Sequence, residues 1–373
     1  MPDLTLLIKS SSSLCNMDCT YCFYKDVAKN RDKEFLGPMT TASLEKLLIS
    51  AMDYAENSCT FMFQGGEPTL SGIDFFREFI DLQNKHKKKN VTIYNCIQTN
   101  GFDIDEFFAK FLSKHNFLVG LSLDGPAAIH NLNRKDNKKN SSFNRVMKTA
   151  ALFNRYNVKY NVLSVITRYS AKRAEKIYNF YKNNGFHNLQ FIPCLEPISL
   201  EKGKQPYSLS NKDYTEFLIR IFDLWYSDFK SGLYINIRHL DNWFSILLGQ
   251  NPESCGMMGR CSIQFVVEGD GSVYPCDFYA FDKYRLGKIG ENSFSEMYNC
   301  DTAKNFINRS LHIPKECKTC KYYFLCRNGC YRERNNKDSG KYYYCEALKE
   351  FFEKRKEQII EACSLIRHGF IKK

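Results

Sequence analysis

No apolar run in this 373-residue sequence reaches the roughly 18 residues that a helix needs to cross a bilayer, which argues against a membrane span. The opening residues, MPDLTLLIKS, have neither the basic start nor the small-residue cleavage site of a secretory signal. The expected compartment is therefore the cytoplasm. A fixed-period repeat and a low-complexity tract are also missing, which sets aside solenoids, propellers and disordered arrays. Hydrophobic residues make up 43% and aromatic residues 15% of the chain, enough for a packed globular core.

Sixteen cysteines are present. Cytosolic thiols stay reduced, so cysteines that cluster in such a chain point to metal rather than to disulfides. The net charge is +12, from 53 basic and 41 acidic residues. A basic balance can mark a nucleic-acid partner, but here lysines are scattered through segments such as KHKKKN and RKDNKKN, which read as solvated turns and helix ends. Neither a nucleic acid nor a membrane is expected as partner.

As far as about residue 195, short apolar runs alternate with segments of helical period, the pattern of repeated β-α units and a parallel sheet. Six strands are predicted: 4–9, 59–64, 91–98, 117–124, 158–167 and 188–195. Helices near 41–56, 72–87, 104–115, 143–156 and 171–184 separate them. Polar and glycine-rich insertions follow the strands: a cysteine loop, then GGEP, TNG and DGP. Because parallel α/β folds carry their sites at the carboxyl ends of strands, these loops should converge. Beyond 196 the pattern changes: a helix is predicted over 211–230, and cysteine density rises from 255 to 345.

Cys15, Cys19 and Cys22 form a CxxxCxxC array on the first of these loops. One compact loop that wraps three corners of a four-iron cluster leaves one iron open to chelate a small molecule. A zinc knuckle is the alternative, but it wants a fourth Cys or His nearby, and no further cysteine occurs before Cys59. With Tyr21 before its last cysteine, the array resembles the signature of the radical S-adenosylmethionine superfamily. That resemblance implies that the amino-acid end of the cofactor chelates the open iron and that its cleavage yields a 5′-deoxyadenosyl radical. In QGGEP, Gln64 precedes Gly65 and Gly66, which let backbone approach a ligand, and Glu67, an acceptor for an ammonium group. The segment matches the family's methionine-binding stretch. Ser122, Asp124, Arg134 and Leu195 read bare as strand-end polar groups, surface charge and core; the resemblance makes them further cofactor contacts.

The later cysteines run C-x9-G-x4-C, then C-x2-C-x5-C-x3-C, then one more, and Cys255 brings the set to eight. The spacing resembles the SPASM extension of radical enzymes that modify peptides. Two structural zinc sites are the alternative reading. The resemblance implies two fully ligated clusters, one on Cys255, Cys261, Cys276 and Cys330 and one on Cys317, Cys320, Cys326 and Cys345. Three [4Fe-4S] clusters would then use eleven cysteines, leaving Cys59, Cys96, Cys194, Cys300 and Cys363 as small buried residues or adventitious thiols.

The segments CNMDCTYCFY, FQGGEPTL, LVGLSLDGP, HNLNRKD and CGMMGRCSIQFVVEGDGSVYPCDFY resemble the anaerobic sulfatase-maturating enzymes, cysteine-type, over essentially the whole length. Such enzymes oxidise an active-site cysteine or serine of a sulfatase to Cα-formylglycine. The resemblance implies a partial (β/α)6 TIM-like barrel over 1–230 with its connecting helix. Residues 231–373 would form the SPASM domain and a C-terminal helix. It makes Asp277 the base, Tyr24 and Gln64 substrate contacts, and a flavodoxin- or ferredoxin-like protein the electron partner. A maturase of a ribosomal peptide and a zinc-stabilised nucleic-acid-binding protein are the competing expectations.

Overall fold

The computed structural model describes residues 3–335 and 339–369. Its strands are β1 (Leu4–Ile8), β2 (Ser58–Phe63), β3 (Thr92–Thr99), β4 (Leu118–Ser122), β5 (Lys159–Ile166), β6 (Asn188–Pro193), β7 (Asn236–Ile237), β8 (Val266–Val267), β9 (Ser272–Tyr274) and β10 (Gly287–Lys288). The ends of β1 to β6 lie within about two residues of the predicted ones. The parts of the predicted domains at 1–2, 336–338 and 370–373 lie outside the described residues.

The chain folds into two compact units built from interleaved segments. The first takes residues 1–123, 131–160 and 262–307; the second takes 124–130, 161–261 and 308–373. In the first, β8, β1, β2, β3 and β4 lie parallel in that order, and β9 joins β8 antiparallel and carries β10 outside it. In the second, β5, β6 and β7 are parallel.

Period explains the layers. Along β2, Cys59, Phe61 and Phe63 are buried, while the residues between them are only half-buried. Helix Gly72–His86 buries Phe76, Phe79, Ile80 and Gln83, a stripe spaced three and four apart. The two faces meet edge to face: the Phe63 and Phe76 rings are 5.0 Å apart and the Phe61 and Phe79 rings 5.5 Å. That leaves the opposite face of β2 and the loop after it, which begins at Gln64, for other partners.

Candidate active site

The cysteine loop is held by the segment at 133–137. Thr20 N–H donates to the Asn133 carbonyl at 3.0 Å and Asp18 N–H to the Lys135 carbonyl at 2.8 Å. Asn137 Nδ2 donates to the Cys15 carbonyl at 2.9 Å. Arg134 is buried with its guanidinium 5.5 Å from the centre of the Tyr21 ring, a cation–π contact that braces the loop. The three thiols are half-buried. Burial and the Glu67 carboxylate push the Cys15 thiol up to about 11. Met17 N–H, at 3.4 Å, and Asn100 Nδ2, at 3.7 Å, both point at its sulfur.

The glycines of QGGEP answer to close packing. Gly66, at φ +53°, faces the carbonyl oxygens of Leu14 and Ser12, and a Cβ there would overlap the former. Gly65, at φ +98°, lies against the Lys9 side chain and likewise leaves no room for a Cβ. The Glu67 carboxylate is turned into the protein. It accepts from Thr69 N–H at 3.1 Å, Thr69 Oγ1 and Thr99 Oγ1 at 2.8 Å, and Asn100 N–H at 2.7 Å. Burial raises its pKa. What this segment presents besides is main chain; the Glu67 carbonyl itself accepts from Ser11 Oγ at 3.0 Å.

Asp277 is 5% exposed and begins a short turn after Cys276. Lys9, fully buried at the end of β1, donates to its Oδ1, and Gln64 Nε2 donates to its Oδ2 at 2.7 Å. The Lys9 ammonium also sits 4.2 Å from the centre of the Tyr24 ring. The Tyr24 hydroxyl donates to Glu268 Oε1 at 2.6 Å, and Arg31 pairs with the same oxygen at 2.6 Å. Burial and Glu268 together push the Tyr24 phenol well above its ordinary range. The structure thus brings Tyr24, Gln64 and Asp277 together around Lys9. Lys9, Arg31 and Glu268 escape a reading by spacing, because isolated charges read as surface; position at the carboxyl end of a strand was the signal available for Lys9.

Ser122 ends β4 and accepts from Gln98 Nε2 at 3.1 Å. Asp124, in the second unit, accepts at Oδ1 from Val165 N–H at 3.0 Å, while its own N–H donates to His130 Nδ1 at 3.3 Å. Leu195 lines a recess of about 250 Å³ in that unit with Glu196, Lys202, Arg332, Glu333 and Tyr343. Burial drives Lys202 down to about 8 and Glu333 up to about 7.

Four of the later cysteines, Cys317, Cys320, Cys326 and Cys345, surround a recess of about 310 Å³. Burial raises the pKa of each of Cys317, Cys326 and Cys345, that of Cys326 to about 12. Among the described residues no three Cys, His, Asp or Glu side chains converge on a single-ion position. The four thiols line one recess together, an arrangement in which they could hold a group larger than a single ion. Cys255, Cys261 and Cys330 are electrostatic neighbours in the same unit, while Cys276 belongs to the first. Between Cys326 and Cys330 the backbone turns left-handed at Arg327, Asn328 and Gly329. Arg334, buried and missed by spacing, ties the loops: it donates to the carbonyls of Asn328 at 3.0 Å, Ser310 at 2.7 Å, Gly329 at 3.3 Å and Gly259 at 3.4 Å. Of the five remaining cysteines, Cys59 and Cys194 are buried and Cys96, Cys300 and Cys363 half-buried.

The model of the radical SAM superfamily matches residues 10–181, and that of an iron-sulfur cluster-binding domain, SPASM, matches 255–321. A cysteine-type anaerobic sulfatase-maturating enzyme of Clostridium novyi is 49% identical over 357 residues, covering 95% of this chain and 96% of that one. The chain belongs to the anaerobic sulfatase-maturating enzymes. A serine-type member from Bacteroides thetaiotaomicron is 31% identical, over 94% of this chain and 89% of its own. A solved structure, native anSMEcpe with bound AdoMet and Cp18Cys peptide, aligns at a TM-score of 0.93 and 48% identity, over 98% of this chain and all of that one. The fold of this sulfatase-maturating enzyme is thus an α/β radical SAM partial barrel with a C-terminal SPASM domain. Its cofactors are [4Fe-4S] clusters and S-adenosylmethionine. Among the described residues no helix is long and apolar enough to cross a membrane.

Proposed function

We propose that this radical SAM maturase converts the target cysteine of an unfolded or nascent sulfatase to Cα-formylglycine, takes serine as a slower substrate, and uses Asp277 as its base. The observation that carries the reading is Asp277 itself, a buried carboxylate one residue past a cluster cysteine, with each oxygen held by a donor of different strength. The higher identity to the cysteine-type relative than to the serine-type one supports the order of substrates.

Cys15, Cys19 and Cys22 hold the cluster with the open iron. The main chain of Gly65 to Glu67, with Tyr21, Ser122, Asp124, Arg134 and Leu195, receives S-adenosylmethionine. Cys255, Cys261, Cys276 and Cys330 hold one closed cluster, and Cys317, Cys320, Cys326 and Cys345 the other. Bound, these groups supply the hydrogen-atom acceptor and the electron sink of a two-electron oxidation. Residues 1–230 carry the first task and 231–373 the second.

The protein's own part is proton transfer and orientation. Asp277 takes the thiol or hydroxyl proton of the substrate at a carboxylate oxygen, and Gln64 and Tyr24 border the place where that side chain stands. A flavodoxin- or ferredoxin-like carrier exchanges electrons with the clusters, and the enzyme works in the cytoplasm. The test is anaerobic assay of Asp277→Asn with matched Cys- and Ser-containing peptides, scoring deoxyadenosine and aldehyde by mass spectrometry. Cofactor cleavage is expected to persist while aldehyde falls by about 10²–10⁴-fold, the usual worth of a positioned base. Full aldehyde yield from the variant overturns the assignment.

A further inference from the structure

Lys9 is fully buried, and burying an ammonium is costly unless it is paired. Asp277 is the anion to which it is paired. The other carboxylate beside Tyr24, Glu268, is taken by Arg31 and by the Tyr24 hydroxyl. The face of the Tyr24 ring lies under the ammonium, and the bare backbone of Gly65 makes room for its side chain. Everything around Lys9 therefore fixes it in one place.

The two oxygens of Asp277 are held unequally. Oδ1 meets a buried charged donor; Oδ2 meets the neutral amide of the half-buried Gln64. Hydrogen bonds from an ionised donor are roughly twice as strong as neutral ones, so Oδ2 is the oxygen that can be vacated. We propose that Lys9 is a positioning residue for peptide oxidation: it anchors Oδ1 of Asp277 and thereby commits Oδ2 to receive the substrate proton. In that step the substrate S–H or O–H bond breaks, an O–H bond forms at Oδ2, the Gln64 amide lets go, and Lys9 stays charged and still donates to Oδ1. This rests on the reading of Asp277 as base.

The test compares Lys9→Met, Asp277→Asn and the double variant, each loaded with clusters and assayed with a cysteine peptide. Lys9→Met is expected to keep cofactor cleavage, to lower kcat for aldehyde by at least ~10-fold and to leave the peptide KM within about threefold, as loss of an orienting contact does. Aldehyde per deoxyadenosine falls with it. The double variant is expected to match Asp277→Asn within about threefold, because Lys9 then has no carboxylate to orient. Melting temperature gives a second readout: it drops in Lys9→Met, which strands the carboxylate, and recovers when Asp277→Asn is added.

A wild-type ratio of aldehyde to deoxyadenosine in Lys9→Met overturns the proposal. So does a double variant at least ~10-fold worse than Asp277→Asn, since the two effects would then be independent. That second comparison uses the double variant and Asp277→Asn without Lys9→Met, so it decides the matter even if Lys9→Met alone does not fold. Full activity of Asp277→Asn would instead remove the base and leave the Lys9 result as a matter of stability.

Discussion

At the scale of single residues, Gly66 and Arg334 set how firmly the cysteines are held. A left-handed φ costs a non-glycine residue about 1–2 kcal/mol, which a protein can absorb. The overlap of a Cβ with the Leu14 carbonyl cannot be absorbed without moving the backbone next to Cys15. Gly66→Ala is therefore expected to abolish cofactor cleavage and to lower iron after reconstitution from about twelve atoms per chain toward about eight, as read by metal analysis. Arg334→Lys keeps the charge but loses the planar fork that serves four loop carbonyls. Two orphaned buried carbonyls at about 1–3 kcal/mol each give a loss of roughly 2–6 kcal/mol. Chemical denaturation should show it, together with a loss of iron. Both residues were hard to weigh from the sequence for the same reason. Gly-Gly before a helix reads as a turn, and an arginine in a charged stretch reads as surface, until partners tens of residues away are seen.

At the scale of elements, the helix Cys345–Arg367 begins on Cys345, one of the proposed cluster ligands, and its N-cap residue, Tyr344, makes no side-chain cap bond. Asn211, the first residue of helix Asn211–Lys230, does the capping from outside: its Oδ1 accepts from Ala347 N–H at 3.1 Å and its Nδ2 donates to the Tyr343 carbonyl at 2.9 Å. Asn211→Ala should cost about 1–2 kcal/mol and make the cluster at Cys345 easier to strip with a chelator. Between the same two helices Arg355 makes a two-pronged pair with Asp223 at 2.6 and 2.7 Å. A pair so near the surface contributes at most about 1 kcal/mol. The Phe351 ring is fully buried against Phe222 and Trp243, and Phe351→Ala should cost about 3–5 kcal/mol. Packing, not charge, decides this contact, and a denaturation series on Arg355→Ala and Phe351→Ala would rank them so. The six longer strands were legible because their apolar runs and bounding turns repeat; β7 to β10 have two or three residues each and carry no period to read.

At the scale of the whole molecule, acid sensitivity follows from His239. Burial, with Arg238 beside it, holds its imidazole down at about 4 against an ordinary 6.5. The unfolded chain therefore takes up the proton first, and stability present above about pH 6.5 drains away as pH falls toward 4. In melting curves at pH 7, 6 and 5, His239→Phe is expected to flatten that decline. The meeting of the loops after β1, β2 and β3 could be argued from topology alone, whereas the interleaving of the two units could not, since it depends on which segments return to which after a hundred residues or more. That interleaving bears on biosynthesis. The first unit includes the loop that offers Cys15, Cys19 and Cys22, yet it is closed only by residues 262–307. At ~5–20 residues per second, a ribosome would take roughly 15–60 s between delivering the loop and delivering the segment that contains Asp277. Throughout that interval Cys15, Cys19 and Cys22 lack the rest of their unit, and the cluster proposed for them can be enclosed only after residues 262–307 have been made.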